Sequence, residues 1–240
     1  QAIMERTVER LNGMTGPASA WEGEIFPARM SVYDPAWLDS LCSTGRLAWG
    51  RYSQPAQLAA VRAGSKRSGG PIKTTPITLS SRVMMGIWQQ LAVGSSDIRA
   101  DLSGNAQRVL DDLKRHGASF FPELRQRTGL LASQLEQALS ELVAAGLLTS
   151  DGFTGLRALL IPDARKPALN GSKAGRGGRS RKQSYSVEEA GRWSLLQKPE
   201  SCDLHEDDLE ALVQVYLLRW GVLSRQILAR ETAAPAWRDL

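Results

Sequence analysis

The chain has 240 residues with 30 Lys and Arg against 25 Asp and Glu, a net charge of +5, and is 42% hydrophobic and 23% charged. That balance belongs to ordinary globular proteins and excludes disordered and collagen-like chains. No apolar run approaches the roughly 20 residues of a membrane span, and no basic-then-apolar leader opens the chain.

The two cysteines, Cys42 and Cys202, stand far apart in no metal-like spacing, which points to a reduced, cytoplasmic compartment. Both ends, Gln1 and Leu240, fall inside amphipathic patterns, so the chain is expected to be a piece of a longer protein. Its charge is unevenly placed. Residues 165–182 hold Arg165, Lys166, Lys173, Arg176, Arg179, Arg181 and Lys182 and no acid, so everything else sums to −2. A second Gly- and Ser-rich stretch, residues 62–73, adds Arg62, Lys66, Arg67 and Lys73, leaving −6 for the rest. The compact parts are therefore acidic, and the positive charge sits in tethers suited to a polyanion or to solvation.

In chain order, Asp34 is a plausible N-cap and Pro35 a first-turn residue for a helix through Ser43. Gly45 ends it, and the alternation from Arg46 to Tyr52 predicts a strand. Residues 1–53 thus look like the end of a winged-helix-like unit, and residues 54–73 like a linker. Residues 74–162 carry a short strand at Pro76 to Leu79 and a helical stripe at Val83, Ile87 and Leu91. Three helices follow: from Ser103, over Phe120 to Thr128, and from a Ser133 cap to Gly146. Two strands, residues 147–150 and 156–161, complete the reading as a winged-helix domain. Residues 163–186 form the basic linker. Residues 187–240, with helices at 206–220 and 223–231 and a start at Pro235-Ala236-Trp237, look like a second winged helix cut short.

Leu38, Leu41, Gly45 and Leu47 recur at the spacing of Leu139, Leu142, Gly146 and Leu148, which suggests tandem modules. The fold class expected is mainly α with short β-strands (α+β): tandem winged-helix-like modules joined by basic flexible linkers.

Catalytic chemistry is not in view. Gly175-Arg176-Gly177-Gly178 lacks the strand, helix and lysine of a phosphate loop. His116 and His205 have no second ligand at helical spacing, and the acidic residues from Asp203 to Glu210 suit a helix N-terminus better than a metal. The helix after Ser133 offers Gln134, Glu136, Gln137 and Glu141 but no basic residue, which argues against base-edge reading in a major groove.

Among the seven tryptophans, most sit beside leucines as core. Trp21, near Arg29, serves either as core or as a stacking platform for a base with the cation on phosphate. Arg192-Trp193 is a weaker stacking candidate, and Arg157 in the wing could reach a backbone. The candidate nucleic-acid residues are thus Trp21, Arg29, Arg157, the seven basic residues of 165–182, Arg192 and Trp193.

Several strings carry a family resemblance: Ala20-Trp21-Glu22 with Pro27-Ala28-Arg29, Tyr33-Asp34-Pro35-Ala36-Trp37-Leu38-Asp39, Thr74-Thr75-Pro76-Ile77, and Gly117-Ala118-Ser119-Phe120-Phe121. Further on stand Thr149-Ser150-Asp151-Gly152-Phe153, Gly155-Leu156-Arg157-Ala158-Leu159-Leu160, Ala190-Gly191-Arg192-Trp193-Ser194-Leu195-Leu196, and Arg219-Trp220-Gly221-Val222. In this order they resemble the large helicase-related (Lhr) family of superfamily 2 ATP-dependent DNA helicases, in the region after the two motor domains.

The resemblance implies a parent protein that hydrolyses ATP with Mg²⁺, tracks 3′ to 5′ on single-stranded DNA, unwinds duplexes and RNA:DNA hybrids, and takes part in DNA repair in the bacterial cytoplasm. The present chain, which holds no motor motif and no cofactor site of its own, would be the end of the winged-helix region and most of the domain after it. It would lie across the strand leaving the motor, where Trp21 could couple base stepping to ATP use. Its implied partners are single-stranded DNA or an RNA:DNA hybrid and the motor domains of the same chain, with no membrane. The alternatives are a winged-helix transcription regulator and a protein–protein docking module.

Overall fold

Helix α1 (Ala2–Arg10) forms because Met4, Thr7, Val8 and Leu11 recur at helical spacing and bury one face. The computed structural model describes residues 2–52, 72–91, 102–161, 187–196 and 204–240. After α1 the chain enters β1 (Thr15–Pro17) and a π-helical turn (Trp21–Ile25). Asp34 then caps α2 (Pro35–Ser43), its carboxylate accepting from the Ala36 amide at 2.9 Å, and Pro35 occupies the first turn where no amide is needed. Beyond α2 come β2 (Leu47–Gly50) and β3 (Pro76–Ser81), which close an antiparallel sheet in the order β1-β3-β2.

Helix, strand, helical turn, helix and two further strands make a whole winged helix. The reading of residues 1–53 as only the end of one is therefore corrected. Helix α1 and β1 are its front, and β3, assigned from sequence to the next unit, is its last strand, because Thr15 to Pro17 and Leu47 to Gly50 both pair with it. Helix α3 (Met85–Leu91) follows.

The same order repeats as α4 (Gly104–His116), β4 (Ser119–Phe120), α5 (Phe121–Thr128), α6 (Ala132–Ala144), β5 (Leu148–Ser150), α7 (Phe153–Leu160) and β6 (Arg192–Leu195). Its sheet runs β4-β6-β5, the topology of the first. The leucine–glycine echo falls on α2–β2 and α6–β5. All six leucines are buried, and Gly45 and Gly146 each sit at φ +72°, a left-handed turn that ends the helix and starts the strand.

Three expectations change in this second unit. Residues 156–161, read as a strand, are mostly helix α7. The wing's second strand is β6 instead, so residues 187–195 finish this domain rather than open another. The third helix starts at Ala132, with the Gln134 side chain accepting from the Leu131 amide at 3.1 Å, so Ser133 is not its cap. In sequence, the two basic stretches run between β2 and β3 and between α7 and β6, that is, within the two wings. Their structure, apart from residues 72 and 73, lies outside the described residues.

The two winged helices share one core. The Thr149 hydroxyl donates to the Trp49 carbonyl at 2.5 Å, and the Trp49 indole N–H donates to the Gly152 carbonyl at 3.1 Å. The Trp49 ring meets Phe153 and Trp193 edge-on, with centroids at 6.3 and 6.5 Å. Gly155 permits this closeness: a Cβ there would stand 2.7 Å from Ser150 Oγ and 3.0 Å from the Trp193 ring.

A smaller cluster joins Tyr52, Met84 and Trp88 to Leu212, Tyr216 and Leu228 of α8 (Glu206–Trp220) and α9 (Arg225–Leu228). Arg219 on α8 reaches the carbonyls of Arg10 and Asn12 and pairs with buried Glu231, which ties the C-terminal helices to the first winged helix. Of the third helix expected from Pro235, a 3₁₀ turn (Trp237–Asp239) is present.

Candidate nucleic-acid interface

Arg157, on α7, is 7% exposed and fully engaged. Its Nε and Nη2 each donate to Glu22 at 2.7 Å, and Nη1 donates to Asp39 at 2.9 Å. The guanidinium also lies 5.7 Å from the Phe153 ring centroid. Burial works against its charge, but the hydrogen bonds it donates to Glu22 and Asp39 outweigh burial and hold it protonated. Glu22 additionally accepts the Tyr33 hydroxyl at 2.5 Å, and burial, with Glu22 beside it, pushes that phenol well above its ordinary range. Arg157 is therefore corrected from a backbone contact to a structural clamp.

The clamp has a functional consequence. Asp39 belongs to α2, the third helix of the first winged helix, the position that enters the major groove in sequence-reading members. Helix α7, from the wing of the second unit, packs on α2 and holds it through Arg157. The equivalent helix of the second unit, α6, exposes Ser133, Gln134 and Gln137. Its Glu141 accepts from the Ser103 amide and hydroxyl at 2.7 and 2.6 Å, bracing the start of α4. Neither α2 nor α6 contains a Lys or Arg.

The aromatic candidates are core. Trp21 is 0% exposed, because its indole N–H donates to the Ile77 carbonyl at 3.0 Å and its ring packs on Phe26 at 5.6 Å. Trp193 is also 0% exposed, enclosed by Trp49 and the Gly155 backbone. Neither can stack a base without opening the core.

Arg192 is exposed but donates from Nε to Asp151 at 2.8 Å, which raises its pKa. Arg29 is exposed, donates to the Ile25 carbonyl at 2.9 Å, and lines a cavity of about 580 Å³. That cavity brings it together with Arg10, Arg219, Trp220 and Arg230, none of which was singled out by the charge or aromatic reading. They come from three distant segments and carry no local signal; only the Arg219-Trp220-Gly221 string marked this place. The seven basic residues of 165–182 lie outside the described residues.

Among the described residues no group of His, Cys, Asp and Glu could hold a metal ion. Glu206, Asp207 and Asp208 fill the first turn of α8, where Asp208 accepts from the His205 amide at 3.1 Å. The buried Cys42 thiol is pushed up to about 12, chiefly by burial, which leaves it protonated and a poor nucleophile at neutral pH. No described helix is long and apolar enough to cross a membrane.

Fold and surface together define a tandem winged-helix protein of α+β class. Comparison with known proteins narrows this. Residues 2–65 match the family described as large helicase-related protein, winged-helix domain. Over 94% of its length the chain is 31% identical to the Lhr helicase/uracil glycosylase of Escherichia coli (strain K12). Over 93% it is 30% identical to the Lhr helicase/probable uracil glycosylase of Mycolicibacterium smegmatis. It spans 14% of the length of each of these relatives. The chain belongs to the large helicase-related family, as a helicase-associated winged-helix region.

Proposed function

We propose that this region is the DNA-holding accessory part of an ATP-dependent helicase, gripping single-stranded DNA without sequence preference. The observation that carries this is the state of the two groove-entering helices: α2 is held against α7 by the Arg157 clamp, and α6 presents glutamines and serine with no cation. Docking a helix in a major groove needs an unobstructed face with cations for the flanking phosphates, and neither α2 nor α6 carries a Lys or Arg. Phosphate contact needs only accessible positive charge, and the sequence puts that charge in the two wings.

On this reading the motor, with ATP and Mg²⁺, belongs to the rest of the longer protein. Movement is 3′ to 5′, an RNA:DNA hybrid can replace DNA as a partner, and the setting is DNA repair at the nucleoid in the cytoplasm. The basic residues Arg165, Lys166, Lys173, Arg176, Arg179, Arg181 and Lys182 are assigned to the phosphates, with exposed Arg29 beside α1. Trp21 is not assigned to stacking.

The test is a panel of labelled single strands and duplexes of unrelated sequence, titrated at several salt concentrations. Single strands should bind within about threefold of one another, with affinity falling steeply as salt rises. A defined duplex bound about 10³-fold more tightly than the others would make the chain a sequence-reading regulator instead. Indifference to every nucleic acid at low salt would leave a protein-docking module.

A further inference from the structure

The cavity beside Arg29 is walled by α1 and β1 on one side and by the end of α8 and the residues after α9 on the other. At about 580 Å³ it falls within the roughly 300–1,000 Å³ of sites that hold small ligands. Four guanidinium groups line it, from Arg10, Arg29, Arg219 and Arg230, against a single carboxylate, Glu231. That carboxylate is already committed. It pairs with buried Arg219 and accepts the Trp220 indole N–H at 2.6 Å. Arg10, Arg29 and Arg230 are exposed and have no carboxylate partner among the described residues.

Three uncompensated guanidinium groups around one cavity repel one another, and an anion between them relieves that repulsion. Their convergence stands out because the chain, without its two basic stretches, is net negative. The planar five-donor fork of arginine fits phosphate oxygens better than a point charge does. Trp220 supplies the other half of the site. The residue is 41% exposed, lines the cavity, and has its indole N–H held by Glu231, so little side-chain freedom is lost when something stacks on it.

An aromatic wall beside phosphate-binding cations is the arrangement that holds single-stranded nucleic acid, one base lying on the ring while the backbone follows the charge. A duplex keeps its bases stacked inside and would leave Trp220 unused.

We infer that this cavity is a binding site for single-stranded nucleic acid, in which Arg10, Arg29 and Arg230 take the phosphodiester backbone and Trp220 stacks one base. It rests on the reading of the region as a single-strand grip and gives that grip a fixed place in the fold. The site also joins the first winged helix to α8–α9, so occupancy would brace that junction.

The experiment titrates a fluorescein-labelled dT oligonucleotide of about 20 nucleotides into the full 240-residue chain at several salt concentrations. Arg10→Ala/Arg230→Ala, both surface changes, should weaken binding about tenfold and reduce the salt slope by about 1.4, since each single-strand phosphate contact contributes about 0.7. Trp220→Ala should weaken binding about fivefold with the slope unchanged, and Trp220→Phe, which keeps a stacking face, should restore most of it. If the unaltered chain binds and the arginine pair changes neither affinity nor slope, the cavity is not the site, while the wider reading stands. If the unaltered chain does not bind at low salt, the wider reading fails and this inference fails with it.

Discussion

Trp49→Ala is expected to cost about 3–5 kcal/mol of stability, the range for emptying a core aromatic, and to separate the unfolding of the two winged helices. Trp49 is fully buried on β2, an edge strand of the first sheet, yet it packs on residues of the second unit. Its ring touches Phe153 and Trp193, its indole N–H reaches the Gly152 carbonyl, and its own carbonyl receives the Thr149 hydroxyl. Removing the ring therefore leaves a cavity at the junction and takes one of two donors from the Gly152 carbonyl, which keeps the Ser150 hydroxyl at 2.8 Å, while each unit keeps its own helices and sheet. Urea unfolding followed by far-ultraviolet circular dichroism should change from one transition to two. A single transition shifted by less than about 1 kcal/mol would mean that the junction contributes little.

Arg157→Met is expected to destabilise the chain by about 2–3 kcal/mol. Removing one member of a buried charged cluster leaves the others unpaired, at a cost of about 3–5 kcal/mol when they are fully enclosed. The Glu22 and Asp39 side chains are 20% and 29% exposed, so water can reach them and the cost falls toward the lower figure. Methionine keeps much of the apolar stem and loses the guanidinium with its place over the Phe153 ring, so the loss reports mainly on the charged head. Arg157→Lys should recover less than half, because one ammonium cannot span two carboxylates as the fork does. Equal stability of Arg157→Met and the unaltered chain would show that α7 is held on α2 by packing alone, and would weaken the case that α2 is locked away from a groove.

The reading from sequence succeeded where the signal was local. The Asp34 cap with Pro35, and the leucine spacing that ends at Gly45 and Gly146, each depend on neighbours within a dozen residues, and each is found in place. It failed where pairing partners are far apart. Residues 156–161 form a short apolar run whose periodicity suits a buried strand or a buried helix equally. What decides it is non-local: β5 pairs with β6, forty-odd residues on, which leaves residues 153–160 free to coil, with Phe153, Leu156 and Leu159 on one face.

The Gly- and Ser-rich basic stretches misled for a related reason. Such composition usually marks domain boundaries, but here the first stretch lies in sequence between β2 and β3 and the second between α7 and β6, so the boundaries were drawn through the wings. Trp21 was left open between core and stacking platform, because its local string, with Glu22, Gly23, Glu24 and Arg29, does not tell an exposed ring from a buried one. In fact Glu22 points to Arg157, 135 residues away, while Trp21 points into the core.

The central claim is that positive charge carried between strands, rather than a groove-entering helix, holds the nucleic acid. Its most direct test is the slope of log affinity against log salt for a single-stranded oligonucleotide. The intact chain would be compared with Arg176→Gln/Arg179→Gln/Arg181→Gln/Lys182→Gln and with Gln134→Ala/Gln137→Ala on α6. The account predicts a slope smaller by up to about 2.8 for the four-residue variant, at about 0.7 per lost phosphate contact, and no change for the α6 variant. An unchanged slope after the four basic residues are neutralised, with binding lost on altering α6, would contradict it.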